Sequence, residues 1–197
     1  MARVSHLLLL LSILSYIAGT AKSAATTRGG ATAFIKSSCS ATTYPAVCVQ
    51  SLSAYGSAIQ QNPRQLTQTA LSVSLSKAQS TKTFVTKLSH FKNLKTGEYE
   101  AIKDCLDEVG DTADRLSRSI QELKNFGQAK GQDFLWHMSN VETWVSAALT
   151  DENTCIDGFA GKALDGKVKA SIKTQVVNLA QVTSNALSLV NSYASKH

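Results

Sequence analysis

Between Tyr99 and Lys124 the apolar positions are Ile102, Leu106, Val109, Ala113, Leu116, Ile120 and Leu123. The steps alternate four and three, the seam of a long helix packed inside a bundle. Cys105 lies beside the seam, one turn after Ile102 and one turn before Val109. Thr96 is expected to cap the start, and Asn125, Phe126 and Gly127 to end the helix. Glu98 and Glu100 stand in the first turn and Lys124 in the last, the order the helix dipole favours. Gly110 interrupts the pattern at a cost of about 1 kcal/mol, so packing has to hold this helix.

The same period recurs three more times. Asn62-Pro63 pairs a capping side chain with proline at the first helical position. From there Leu66, Ala70, Val73, Ala78, Phe84, Val85 and Leu88 carry a stripe to about His90, and a turn follows at Asn93–Gly97. A third stripe starts near Gln132 with Phe134, Leu135, Met138, Val141, Val145, Ala148 and Leu149; Gly158 and Gly161 mark its end. After Gly166 the last one runs through Val168, Ile172, Val176, Leu179, Leu187, Val190 and Tyr193. Upstream, residues 24–33 are small and polar and are expected to be loose. Phe34 and Ile35 begin a short amphipathic piece that runs into Cys39, and Val47, Val49, Leu52 and Tyr55 form another after Pro45. With only two prolines in the chain, the reading is all-α. Four long amphipathic helices on short links predict an up-down-up-down bundle, preceded by a helical hairpin.

The N-terminus changes the picture of where the chain works. Arg3 precedes an apolar run from Leu7 to Ala18, and Ala21-Lys22-Ser23 fits a small-x-small cleavage site. That is the pattern of a secretory signal peptide over residues 1–23, too short for a spanning helix. Residues 24–60 then form the hairpin extension and 61–197 the bundle. No other apolar run is long enough to cross a bilayer, so the expected product is secreted and off the membrane.

An oxidising compartment makes the four cysteines two disulfides, with three possible pairings. Cys39 and Cys48 are close in sequence around the turn residues Thr43-Tyr44-Pro45, which leaves Cys105 and Cys155. Cys105 lies near the start of the second long helix and Cys155 near the finish of the third. In an antiparallel pair those positions are level, within the reach of a disulfide. The spacing lacks a C-x-x-C and a nearby His pair, so no metal or cofactor is expected.

Charge and candidate chemistry narrow the function classes. The formal charge is +6, from 20 basic and 14 acidic residues, with no basic run that interleaves aromatics. Nucleic acid is therefore not an expected partner. His90, His137 and His197 belong to no metal-binding or Ser/His/Asp pattern, and no phosphate loop or nucleophile elbow occurs. The expectation is a protein without a catalytic residue. One polar feature stands out: Asp104, Asp107, Asp111 and Asp114 repeat along the second long helix, with Glu108 beside them and Arg115 and Arg118 after. It reads as a solvated face or as a contact strip for a protein partner. Trp136 and Trp144 read as core or rim residues, with an interface role as the alternative.

With these elements placed, the chain resembles the plant invertase/pectin methylesterase inhibitor family. Four segments carry the resemblance: Cys39-Ser-Ala-Thr-Thr-Tyr-Pro-Ala-Val-Cys48; Ala101-Ile-Lys-Asp-Cys105 with Ala113-Asp-Arg-Leu116; Val145-Ser-Ala-Ala-Leu-Thr150; and Asp151-Glu-Asn-Thr-Cys155-Ile-Asp-Gly-Phe159. The family implies a four-helix bundle behind a hairpin, with disulfides Cys39–Cys48 and Cys105–Cys155. It also implies an inhibitor of a carbohydrate-active enzyme of the plant cell wall or vacuole. Invertase-type members carry Pro-Lys-Phe at the entry to the third long helix; Ala129-Lys-Gly-Gln-Asp-Phe134 stands there instead. The expected target is pectin methylesterase, and the alternative is acid invertase. The expected mechanism is one-to-one docking of a monomer across the esterase's carboxylate-lined pectin cleft, over an interface of about 1,600 Å². Thr154 matches a family threonine implicated at the contact. Ser146 and Asp151 on the same helix, and Asp107 and Asp111 on the second, are further candidates. A lipid carrier and a hydrolase are the rival classes. The first needs an apolar cavity where Ala70, Ala78, Ala113 and Ala148 suggest close packing, and the second needs a nucleophile–base pair.

Overall fold

The computed structural model describes residues 29–126, 129–161, 164 and 166–196. The expected signal peptide, the loop tip at Gly127 and the terminal His197 lie outside them. Helix α1 covers 29–39, followed by α2 (Pro45–Leu52), a 3-10 turn at Ser53–Tyr55 and the short α3 (Gly56–Ile59). The four long helices are α4 (Pro63–Ser89), α5 (Thr96–Asn125), α6 (Gly131–Asp157) and α7 (Lys167–Ala194). Among the described residues there is no strand.

Local chemistry sets the ends. The Asn62 carboxamide oxygen accepts the Gln65 N–H at 3.1 Å, with Pro63 in the first turn. Helix α5 starts differently from the expectation. Thr96 is its first helical residue, not its cap; Lys95 takes the cap position, and its N–H donates to the Glu98 carboxylate at 2.9 Å. Gln60, Gln61 and Asn93 turn the chain through left-handed backbone before α4 and after it. The segment expected to be loose is helical from residue 29, because Ala31 and Ile35 are buried on one face of α1.

Each long helix packs on its chain neighbours, and α7 closes the ring against α4. That arrangement is the up-down-up-down bundle. The buried set on α5 lies slightly around from the predicted seam. Ala101, Cys105, Thr112 and Ser119 are buried, while Leu106 and Ala113 flank the core half-buried. Hydroxyls can occupy core positions here because they find backbone acceptors: Ser119 donates to the Arg115 carbonyl at 2.9 Å and Thr112 to the Ala148 carbonyl at 3.3 Å.

The hairpin closes with Cys39–Cys48, whose Cα atoms are 5.6 Å apart. Helix α2 lies over α4 and α7. Asn185 on α7, itself buried, clasps the hairpin turn: the Tyr44 N–H donates to its Oδ1 and its Nδ2 donates to the Tyr44 carbonyl, both at 2.9 Å. Ile35, Leu52 and Ile59 belong to the same apolar core as the bundle. The extension therefore covers the α4/α7 side and leaves the α5/α6 side open.

Candidate functional site

The second disulfide, Cys105–Cys155, draws α5 and α6 together at the end where α5 begins and α6 finishes, with Cα atoms 4.4 Å apart. Immediately outside it lies an open groove of about 400 Å³. Asp104, Asp107 and Glu108 line it from α5, and Thr154 and Asp157 from α6. The helical period explains the grouping. Ile102, Cys105 and Val109 turn into the core, so the acids between them face out.

The groove carries acids and the Thr154 hydroxyl, and among the described residues no basic side chain lines it. The Glu108 carboxyl is raised above its ordinary range, first by partial burial and then by repulsion from Asp151 and Asp111, with Arg115 opposing. The hydroxyls are directed inward along α6: Thr154 donates to the Thr150 carbonyl at 2.9 Å and Thr150 to the Ser146 carbonyl at 3.3 Å. Their protons are used, so what they offer a partner is lone pairs. With carboxyl groups alongside, the surface presents mainly acceptors.

Of the five residues singled out for partner contact, Thr154 and Asp107 meet at this groove. Ser146 is exposed two turns before Thr154 in the same row, and Asp111 is exposed one turn beyond Asp107. Asp151 differs. It is 7% exposed, and its carboxylate is bonded to the Arg115 guanidinium across the helix pair. Its position on α6 turns toward α5 and not outward. Burial raises its pKa and the Arg115 bond opposes that shift. Asp151 thus ties the two helices behind the face, while the other four stand on it.

Three residues of this region have roles that the sequence pattern does not assign. Arg115 reads there only as the end of a charged stripe, and Glu108 only as a neighbour of the aspartates. Glu152 is fully buried, and its spacing from Ala148 and Cys155, at four and three, is the signal that could have placed it inward. At the far end of α6, Trp136 and Leu135 are exposed, Trp136 by 62%, while Trp144 is half-buried. His137 is held by Glu122 at 2.7 Å and stacks on Phe126 at 5.2 Å, and His90 sits exposed at the end of α4. Among the described residues no group of His, Cys, Asp and Glu could hold a metal ion, and no helix is long and apolar enough to cross a membrane.

Comparison with known proteins gives this surface a context. The family model described as plant invertase/pectin methylesterase inhibitor matches residues 33–189. A carrot (Daucus carota) protein named "21 kDa protein" is 61% identical over 88% of this chain and 90% of its own length. "Pectinesterase inhibitor 11" of Arabidopsis thaliana is 51% identical over 97% of this chain and 95% of its own. A crystal structure of a mutant pectin methylesterase inhibitor from Arabidopsis superposes with a TM-score of 0.63, covering 78% of this chain and 92% of that one. At 19% identity that likeness speaks for the fold alone. The bundle, the hairpin and both disulfides sit within a match that runs nearly the length of the sequence, and the chain belongs to the plant invertase/pectin methylesterase inhibitor family.

Proposed function

We propose that the protein inhibits pectin methylesterase by laying its α5/α6 face across the esterase's substrate cleft, one molecule to one, without chemistry. The observation that carries this reading is the near full-length identity to proteins named as pectinesterase inhibitors, 51% and 49% for two from Arabidopsis thaliana. The geometry supports the face. The hairpin occupies the α4/α7 side, whereas the α5/α6 groove is open and brings Thr154 and Asp107 together. The acceptor-rich surface also refines what it meets. A strip of acids fits the cations and N–H donors that an enzyme uses to hold a polyuronate chain better than it fits a carboxylate-lined wall. Residues 1–23 act in this reading as the secretion signal, the inhibitor works as a monomer, and its setting is the cell wall.

The test is inhibition of two purified enzymes, a plant pectin methylesterase and an acid invertase, by the oxidised protein. The expected result is loss of esterase activity on titration to one equivalent, with invertase unaffected. Inhibition of invertase alone would replace the proposed target.

A further inference from the structure

Glu152 lies where the α6 and α7 faces meet inside the bundle and is 0% exposed. One carboxyl oxygen accepts the Thr183 hydroxyl of α7 at 2.8 Å; the other has no hydrogen-bond partner among the described residues. The nearby charges do not compensate it. Asp151 beside it on α6 is itself acidic, and Arg115 of α5 is committed to Asp151. Glu108 and Asp111 of α5 act on Asp151 and add negative charge. On α4, Lys77 reaches Gln175 and Lys82 is exposed; on α7, Lys173 is exposed. An ionised carboxylate in this place is a buried charge with no counter-ion among the described residues, which a fold tolerates poorly. On α4, the buried Thr81 hydroxyl oxygen is likewise without a hydrogen-bond partner among the described residues, so the interior is under-satisfied on more than one helix.

We propose that Glu152 is a built-in pH sensor that makes this scaffold most stable in acid and progressively less stable toward alkaline pH. Insofar as it regulates inhibition, the proposal rests on the inhibitor reading above. Burial, the dominant cause, pushes the Glu152 carboxyl from the ordinary 4.5 of a glutamate to about 8, opposed by the Thr183 hydrogen bond and reinforced by Asp151. Below the unfolded value both states keep the proton, and stability is at its fullest. Between the two values the folded protein holds a proton that the unfolded chain releases. The folding constant then falls by up to about tenfold per pH unit, until the folded state ionises as well. Asp151 and Glu108, also raised, contribute in the same direction, and Glu122, where burial is outweighed by the bonds to His137 and Asn140 so that its pKa is lowered, opposes them. Because those groups are common to both proteins, a comparison at Glu152 alone isolates its share.

The experiment is denaturant unfolding of the oxidised protein and of Glu152→Gln, followed by helical circular dichroism between about pH 5 and pH 8. The expected result is that the wild-type folding constant falls more steeply with pH, by up to about tenfold per unit relative to the Gln variant. Parallel pH profiles would overturn the proposal. Should the variant not fold, carbon NMR of the wild-type Glu152 carboxyl decides. A protonated carboxyl near neutral pH is expected, and one that titrates in the ordinary carboxylate range overturns it. Neither readout uses an esterase, so a failure of inhibition alongside the expected unfolding profiles would reject the inhibitor reading and still support the sensor.

Discussion

Thr154 and Gly110 make opposite demands on a side chain. Thr154 is exposed, and its hydroxyl proton is given to its own helix, so replacing it disturbs little inside the bundle. Thr154→Arg places bulk and positive charge on an acidic face. It is expected to weaken inhibition by about tenfold or more, with an unchanged melting temperature. An inhibition curve beside a thermal melt checks both halves. Gly110 sits mid-helix, where glycine costs about 1 kcal/mol relative to alanine. An added methyl would stand 3.0 Å from the end of the Lys82 side chain, a flexible group that can shift. Gly110→Ala is therefore expected to stabilise the protein by about 0.5–1 kcal/mol, read from the denaturation midpoint. At this scale the sequence was legible for the cysteines, whose pairing followed from chain distance and helix level. It was not legible for Asp151. The residue types along α6 do not say which acid turns toward Arg115 and which toward water, since that depends on a partner helix 36 residues away in the chain.

Helices were the most legible layer, because a four-three repeat is a property of one stretch of chain. Helices α4, α6 and α7 begin or end within a residue or two of where Pro63, Gln132, Gly158 and Gly166 place their limits. The errors came where a neighbouring element overrides local composition. Residues 29–33 look like a loose tail, yet they are helical because α1 buries Ala31 and Ile35. Tyr55 looks like the end of an apolar stripe and is 45% exposed; the chain tightens into a 3-10 turn there, and Ile59 is buried instead. The α5/α6 pair also sets a prediction. Its disulfide closes a loop of 50 residues, and such links contribute about 2–4 kcal/mol. Replacing Cys105 and Cys155 together with alanine is expected to lower stability by about that amount. It should weaken inhibition more than loss of Cys39–Cys48 does, since the first link borders the groove and the second lies across the bundle from it. Paired unfolding and inhibition curves test the order.

For the whole molecule, the division of labour is between one covered side and one open side. The hairpin shares the core with α4 and α7, and the acid-rich groove faces away from it. A net positive chain with a local acidic strip should meet a cationic partner through that strip alone. Binding is then expected to weaken with salt, and Asp107→Lys with Asp111→Lys to reduce both affinity and salt dependence. The acidic repeat of α5 was legible along the chain, whereas its union with Thr154 and Asp157 of α6 arises only when the two helices are brought side by side. The measurement closest to the centre of the proposal is calorimetric titration of purified pectin methylesterase with the oxidised protein and with Thr154→Arg. One site per esterase for the wild type, and at least tenfold weaker binding for an equally stable variant, is the predicted result. Undiminished binding by the variant, or no binding of the wild type to the esterase, would contradict it.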